Sequence, residues 1–328
     1  MTGASEQGKL AQLADMMKSG QISRRTFVER AAALGVALPV LTYLVNSISI
    51  TGASAAPSGA GTASIARFQD AVTARPEAPA DQTRGAGGEL KILQWQGVTT
   101  LSLHQSQGTK DQLGASLITE GLMSYMPDGS LVATLVKEVP SLDNGGLSAD
   151  LKTVTYHLLE GVKWSDGEPF TSADVVATYN WIMDPANGAV SIATYQPIAK
   201  IEAPDDLTVV ITFTQGSLAW YGPFTGTYWG AVYAKHIIDK GAGANDIFRS
   251  AQIGTGPYVI DTFAENDQAV YKINDNYREA NKPYFASINI KGGGDAVSAA
   301  RAVLETGDWN VAWNLQVEPN IINDMLAK

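Results

Sequence analysis

Cysteine is absent from this 328-residue chain. Disulfides and thiolate metal sites are therefore excluded, and the folded part must hold together through its core alone. Histidine is scarce: His104, His157 and His236 are the full set. They are scattered, with no metal-ligand spacing and no paired carboxylate pattern. Positive charge is also short, with 23 Lys and Arg against 33 Asp and Glu and a net charge of −10. Nucleic acid needs clustered cations, so this balance argues against that partner, and against a peripheral anchor on anionic lipid. No G-x-S-x-G elbow and no phosphate-cradling G-x-x-x-x-G-K loop is present. Gly254-Thr255-Gly256 runs into Pro257 rather than into a helix, which removes it as a dinucleotide loop. Lys291-Gly292-Gly293-Gly294-Asp295 reads as a strand-to-helix turn capped by Asp295, with an anion nest as the alternative. No cofactor and no metal is implied.

The excess of base sits at the front of the chain. Ser23-Arg24-Arg25-Thr26-Phe27 is a twin-arginine signature. Behind it, Ala31 to Val45 is apolar apart from Thr42, and Ala53-Ser54-Ala55 offers a small-residue cleavage site. A positive region, an apolar region and an A-x-A site in that order read as a signal region over residues 1–56, with the twin-arginine export machinery as partner. The alternative is an uncleaved anchor. Asn46, Ser47 and Ser49 dilute the run, which falls short of ~20 apolar residues. Residues 57–88 are rich in Ala, Gly, Pro, Ser and Thr. They hold too little apolar surface to offset chain entropy, so a disordered linker is expected.

From Glu89 onward short strands and scattered helices alternate. Strands are expected near Leu90–Trp95, Val154–Leu159, Thr208–Phe213, Tyr258–Phe263, Ala269–Ile273 and Ser287–Lys291. Helices are expected near Gln112–Leu122, Ala173–Met183, Ala234–Lys240 and Asp295–Thr306. The class is α+β with a mixed sheet. The best-defined stretch is Leu151 to Pro185. Val154, Tyr156 and Leu158 alternate with Thr155, His157 and Leu159 as in a half-buried strand. Ser165-Asp166-Gly167 is a turn, with Gly167 free to take positive φ. Thr171 is placed to N-cap a helix, with Asp174 at its third position. Val175, Val176, Tyr179, Ile182 and Met183 recur at helical spacing, and Asp184-Pro185 ends the helix.

This stretch, around KWSDGEPFTSADV, resembles the peptide- and nickel-type family of extracytoplasmic solute-binding proteins, family 5, that serve ABC importers. Three further blocks resemble it in the family's order: TEGLMSYMPDGSLVATLVKEV, GTGPYVIDTFAENDQAVYKINDNYREANKP and AARAVLETGDWNVAW. The resemblance covers about Glu89 to the end. It implies periplasmic-binding-protein-like type II lobes with mixed sheets. Domain I would begin over 89–117, domain II would be inserted over 118–201, and domain I would return over 202–314. Residues 315–328 would begin domain III, whose remainder is missing; a chain truncated there would lack one wall of its cleft.

The resemblance also implies a receptor that captures peptides or another small solute and docks on an ABC permease in the membrane. Gln107, Gly108 and Thr109 fall where peptide-binding relatives run a strip of backbone along the ligand. Within the aromatic cluster Trp220, Tyr221, Tyr228, Trp229 and Tyr233, the residues expected to face the cleft are Tyr228 and Trp229. Trp313, Asn314 and Gln316 sit at the join towards domain III. Two other classes stay open: an exported hydrolase using Asp166, Asp174 or Glu168, and a surface sensor or adhesion module on the same scaffold.

Overall fold

The computed structural model describes residues 75–226, 229–304, 306–313, 318–320 and 323, and before them only 13, 16, 21, 22, 26, 27 and 30. The chain divides into two units, Met1–Ala71 and Val72–Lys328. Arg24, Arg25, the apolar run, the cleavage site and the first part of the expected linker lie outside the described residues.

The second unit holds two layered cores. The first core packs on a five-stranded mixed sheet. Its strands are β1 (Glu89–Gln94), β7 (Tyr258–Ala264), β8 (Gln268–Ile273), β9 (Ser287–Gly292) and β10 (Val311–Trp313), in the order β10-β1-β9-β8-β7. β1 runs parallel to both β10 and β9, and the other pairs are antiparallel. Ile92, Val98, Leu101, Tyr258, Tyr271 and Ile290 fill this core.

The second core is larger and lies over an antiparallel sheet β4-β6-β5, formed by β4 (Thr153–His157), β5 (Ile198–Asp205) and β6 (Thr208–Phe213). A hairpin of β2 (Met123–Tyr125) and β3 (Leu131–Ala133) stands beside it. The period-2 pattern turns Val154 and Tyr156 inward from β4, and Val209, Ile211 and Phe213 from β6. The α-helices described in this unit are α1 (Thr109–Ala115), α2 (Ser172–Met183), α3 (Ile192–Tyr195), α4 (Lys235–Ile238), α5 (Ala244–Ser250) and α6 (Ala296–Leu304). Gly167 takes φ 96° in the turn before α2. The Thr171 N–H donates to Asp174 Oδ2 at 2.8 Å, which fixes the start of α2. Asp295 caps α6 by accepting from the N–H groups of Val297 and Ser298, each at 2.9 Å. The glycine run before it is therefore the capped turn.

Three expectations need correction. The order of the chain begins before Glu89. Gln82 and Arg84 side chains donate to the carbonyls of Asn281 and Asn274, and the Gly85 and Gly87 amides donate to Pro283 and Tyr284. Low apolar content does not prevent order where side-chain and backbone hydrogen bonds reach a neighbouring strand end. The cut between Ile201 and Glu202 runs through β5, and β6 pairs with β4 and β5. The material of the inserted core continues through Val232, Tyr233 and Phe248. The helix expected over Gln112–Leu122 ends at Ala115, because Leu117 and Ile118 give their carbonyls to Tyr258 and Gly256. A Cβ on Gly254 or Gly256 would collide with the Ile118 carbonyl oxygen, so this close approach accounts for the glycines of the GTGP block.

One buried ion cluster ties the two cores. Glu120, 6% exposed, accepts from Arg278 in bidentate fashion, Nη1 to Oε2 at 2.6 Å and Nη2 to Oε1 at 3.0 Å. Arg75 Nη1 reaches the same carboxylate at 3.0 Å, and the Thr255 hydroxyl donates to it at 3.1 Å. Arg278 also donates to the Thr134 carbonyl. Removing one partner of a buried pair strands the other. Arg278→Met is therefore expected to cost roughly 3 kcal/mol in urea denaturation, and the double change with Glu120→Leu less than that. A single variant as stable as the wild type would show that the pair is not structural.

Candidate functional site

The parallel strands β10, β1 and β9 end on one side of their sheet, and the loop 95–108 leaves from the end of β1. In open sheets, ligands are met outside the carboxyl ends of parallel strands. Trp313, the last residue of β10, stands in register with Gln94, the last of β1. It is half-buried at this edge. Trp95, one residue on, is exposed.

The loop is held in shape by Asp111, which is 2% exposed. Its carboxylate accepts from the Thr99 N–H at 2.7 Å and from the Ser106 hydroxyl at 3.0 Å, and it pairs with Lys110 at 2.8 Å. This clamp presents Gln107 and Thr109 on the surface, both exposed, with Gly108 between them as the N-cap of α1. Gly108 has an extended backbone at φ −120°, and a Cβ there would meet nothing closer than 3.4 Å. Glycine at this place is therefore not demanded by backbone strain.

His104 joins this strip to the segment that carries Trp229. Its Nε2–H donates to the Ala231 carbonyl at 2.8 Å, which leaves Nδ1 to accept from the Ser191 hydroxyl at 2.9 Å. Its carbonyl accepts from the Val190 N–H, and the Gln105 amide donates to the Asn187 carbonyl. The rings of Tyr195 and Tyr233 stand edge-on to the imidazole, with centroids at 5.8 and 4.9 Å. Tyr195 donates to the Trp229 carbonyl at 2.7 Å. The structure thus brings the segments of Gln107–Thr109 and Trp229 around one buried cluster, and it places Trp313 on the sheet edge from which the first of them departs. Tyr228, Asn314 and Gln316 lie outside the described residues. Trp220 and Tyr233 are core. Reading the sequence missed Asp111, Ser106 and Tyr195. The signal for Asp111 was an acid in the first turn after S-x-G-T, which any capped helix also shows.

Two of the three carboxylates of the hydrolase reading, Asp174 and Asp166, have partners within the fold. Asp174 Oδ1 accepts from the Lys235 N–H at 2.7 Å while Oδ2 holds the start of α2. Burial pushes its carboxyl above the ordinary range. Asp166 pairs with His236 at 2.7 Å, and Glu168 is exposed. Among the described residues no group of three His, Asp or Glu is placed to hold a metal ion.

A comparison with known families decides the class. Residues 137–323 match the model of the Bacterial extracellular solute-binding proteins, family 5 Middle. The chain belongs to this family. It is 30% identical over 224 residues to the glutathione-binding protein GsiB of Escherichia coli K12, covering 67% of this chain and 41% of that protein. Protein XP55 of Streptomyces lividans is 29% identical over 198 residues, covering 60% of this chain and 34% of that protein. Among solved structures, the binding protein AgaA in complex with agropinic acid, from A. tumefaciens R10, gives a TM-score of 0.61 at 27% identity, over 68% of this chain and 43% of AgaA. Haemophilus influenzae OppA in complex with the peptide RPPGFSPFR gives 0.63 at 19% identity, over 75% of this chain and 49% of OppA. The fold is therefore that of type II periplasmic-binding-protein-like lobes. The chain spans less than half the length of these relatives.

Burial holds the His104 imidazolium pKa down at about 4 against an ordinary 6.5, and the Ala231 hydrogen bond only partly offsets this. A base whose folded pKa is depressed stabilises the fold above pH 6.5, and that stability is lost as pH falls from 6.5 towards 4. The loss expected across this window is roughly 3 kcal/mol. Urea midpoints of the wild type and of His104→Gln between pH 7 and pH 4 measure it. The same slope in both proteins would remove His104 as the cause.

Proposed function

We propose that this family member is the capture component of an ABC importer, taking up a peptide or a related small solute outside the cytoplasm and delivering it to a membrane permease. The observation that carries the reading is the family match combined with a loop, clamped by Asp111, at the carboxyl ends of parallel strands. The contacts proposed are Gln107, Gly108, Thr109, Tyr228, Trp229, Trp313, Asn314 and Gln316. Two relatives support a small polar or peptidic solute by what they bind, glutathione in one case and agropinic acid in the other. No bond of the solute is broken in such a capture step. The solute binds one form of the protein better than another, and that differential alone drives closure. Isothermal calorimetry of the chain against panels of peptides, sugar acids and nickel–histidine tests the reading. Saturable binding of at least one class is expected, and silence across every panel would sink it.

Export by the twin-arginine route is part of the same reading. It is supported by Arg24 and Arg25 ahead of an apolar run in the sequence. Among the described residues no helix is long and apolar enough to cross a membrane. Changing both arginines to lysine is expected to retain the precursor in the cytoplasm while residues 75–313 still fold. Normal export of that variant, followed by cell fractionation, would disprove this route.

A further inference from the structure

Helix α2 has two apolar faces. Val175, Thr178 and Ile182 are buried against the core of their sheet. A second stripe, Ala173, Val176, Ala177 and Trp181, recurs at spacings of three and four and forms one wall of a cleft of about 860 Å³. Ile201 and Ala203 of β5 and Ile238 of α4 line it from the other sides. Every lining residue is among the described ones. The alanines of α2 are what leave the room, and the volume falls within the roughly 300–1,000 Å³ of small-molecule sites.

Two polar atoms at this cleft meet no hydrogen-bond partner among the described residues: the Trp181 indole Nε1–H and the Asn245 amide Oδ1. Trp181 is 5% exposed. Its ring stands edge-on to Tyr233 and Phe248, with centroids at 5.2 and 5.5 Å, so the indole is held from behind. A buried donor and a buried acceptor left unmet each carry the full cost of their lost water. Charge at the cleft is balanced locally. Lys235, the cation among the lining residues, pairs with Asp239 at 2.6 Å. Asp184 stands exposed and accepts from the Ala186 N–H.

We infer that this cleft binds a small neutral amide with aliphatic side groups. Its carbonyl accepts from the Trp181 indole, its N–H donates to Asn245, and its side groups lie against Val176, Ala177, Ile201 and Ile238. An amide supplies both partners that the cleft lacks. A carboxylate would have to take Lys235 from Asp239, and an ammonium drawn to Asp184 would leave the indole N–H unmet. The site shares no residue with the proposed capture contacts, and the inference does not rest on the capture reading.

The test is calorimetric titration of the full chain with the cyclic dipeptide cyclo(Leu-Ala), its N,N′-dimethyl derivative and cyclo(Gly-Gly). Saturable binding of cyclo(Leu-Ala) is expected. It should be at least about tenfold tighter than the dimethyl form, which cannot donate, and than cyclo(Gly-Gly), which has no aliphatic groups. Ala177→Leu fills the cleft from a half-buried helix position and is expected to weaken cyclo(Leu-Ala) by about tenfold or more, with circular dichroism as the check on its fold. In Asn245→Leu the acceptor is gone, so cyclo(Leu-Ala) and its dimethyl form are expected to bind alike. Absence of saturable binding, equal affinity of the wild type for the dimethyl form, or a preference for the parent that persists in Asn245→Leu would each overturn the inference. Binding undiminished in a folded Ala177→Leu protein would overturn it as well, because the amide would then sit elsewhere.

Discussion

The buried carboxylate of Glu120 is the constraint on which the rest of the described fold depends. A charge with this little exposure costs several kcal/mol unless it is met by cations and donors in good geometry. Here the donors come from far apart in the chain: Arg75 before the first strand, Thr255 in the glycine-proline turn and Arg278 after β8. All three segments must be in place together. Around them, Ile118 gives its carbonyl to Gly256, Asn274 donates to the Gly256 carbonyl, and Asn276 donates to Ser165. The two cores are thus joined by polar contacts at one seam, while each keeps its own apolar filling.

The seam uses none of the residues of the proposed capture strip, Gln107–Thr109. Asp111 and His104 do the positioning, one by collecting backbone and hydroxyl donors, the other by spanning Ser191 and Ala231. Both are buried and fully engaged, so neither competes for a solute. The residues they present, Gln107 and Thr109, are exposed. Such a division suits a binding protein, because a strip that is held from behind loses little conformational freedom when a ligand arrives. The same separation appears in the helix that follows the KWSDGEPFTSADV block. Its acid is consumed in holding Thr171 and Lys235, so the block is a folding device.

Much of this was legible from the residues. Period-2 runs placed β6, β8 and β9 within a residue or two, and the Ser165-Asp166-Gly167 turn and the Thr171 cap fixed the start of α2. Helix α5 and strand β5 were not seen, because neither carries a clean apolar period; β5 leaves most of its residues exposed. The order in residues 75–88 was hidden for a related reason. Its contacts are hydrogen bonds to distant carbonyls, and composition records apolar content, not where a donor will land.

By itself the sequence determined the class, the family pattern and the absence of thiol chemistry, because these follow from local periodicity, turn residues and composition. The tertiary structure alone decided what each buried acid is spent on. Glu120, Asp111, Asp174 and Glu279 look alike in a string of letters. One holds a seam, one clamps a loop, one starts a helix, and one shares Arg75 with Glu120. That sorting depends on distances across the chain of a few ångströms, and the Coulomb and desolvation energies that set it vary too steeply with distance and burial to be read from order alone.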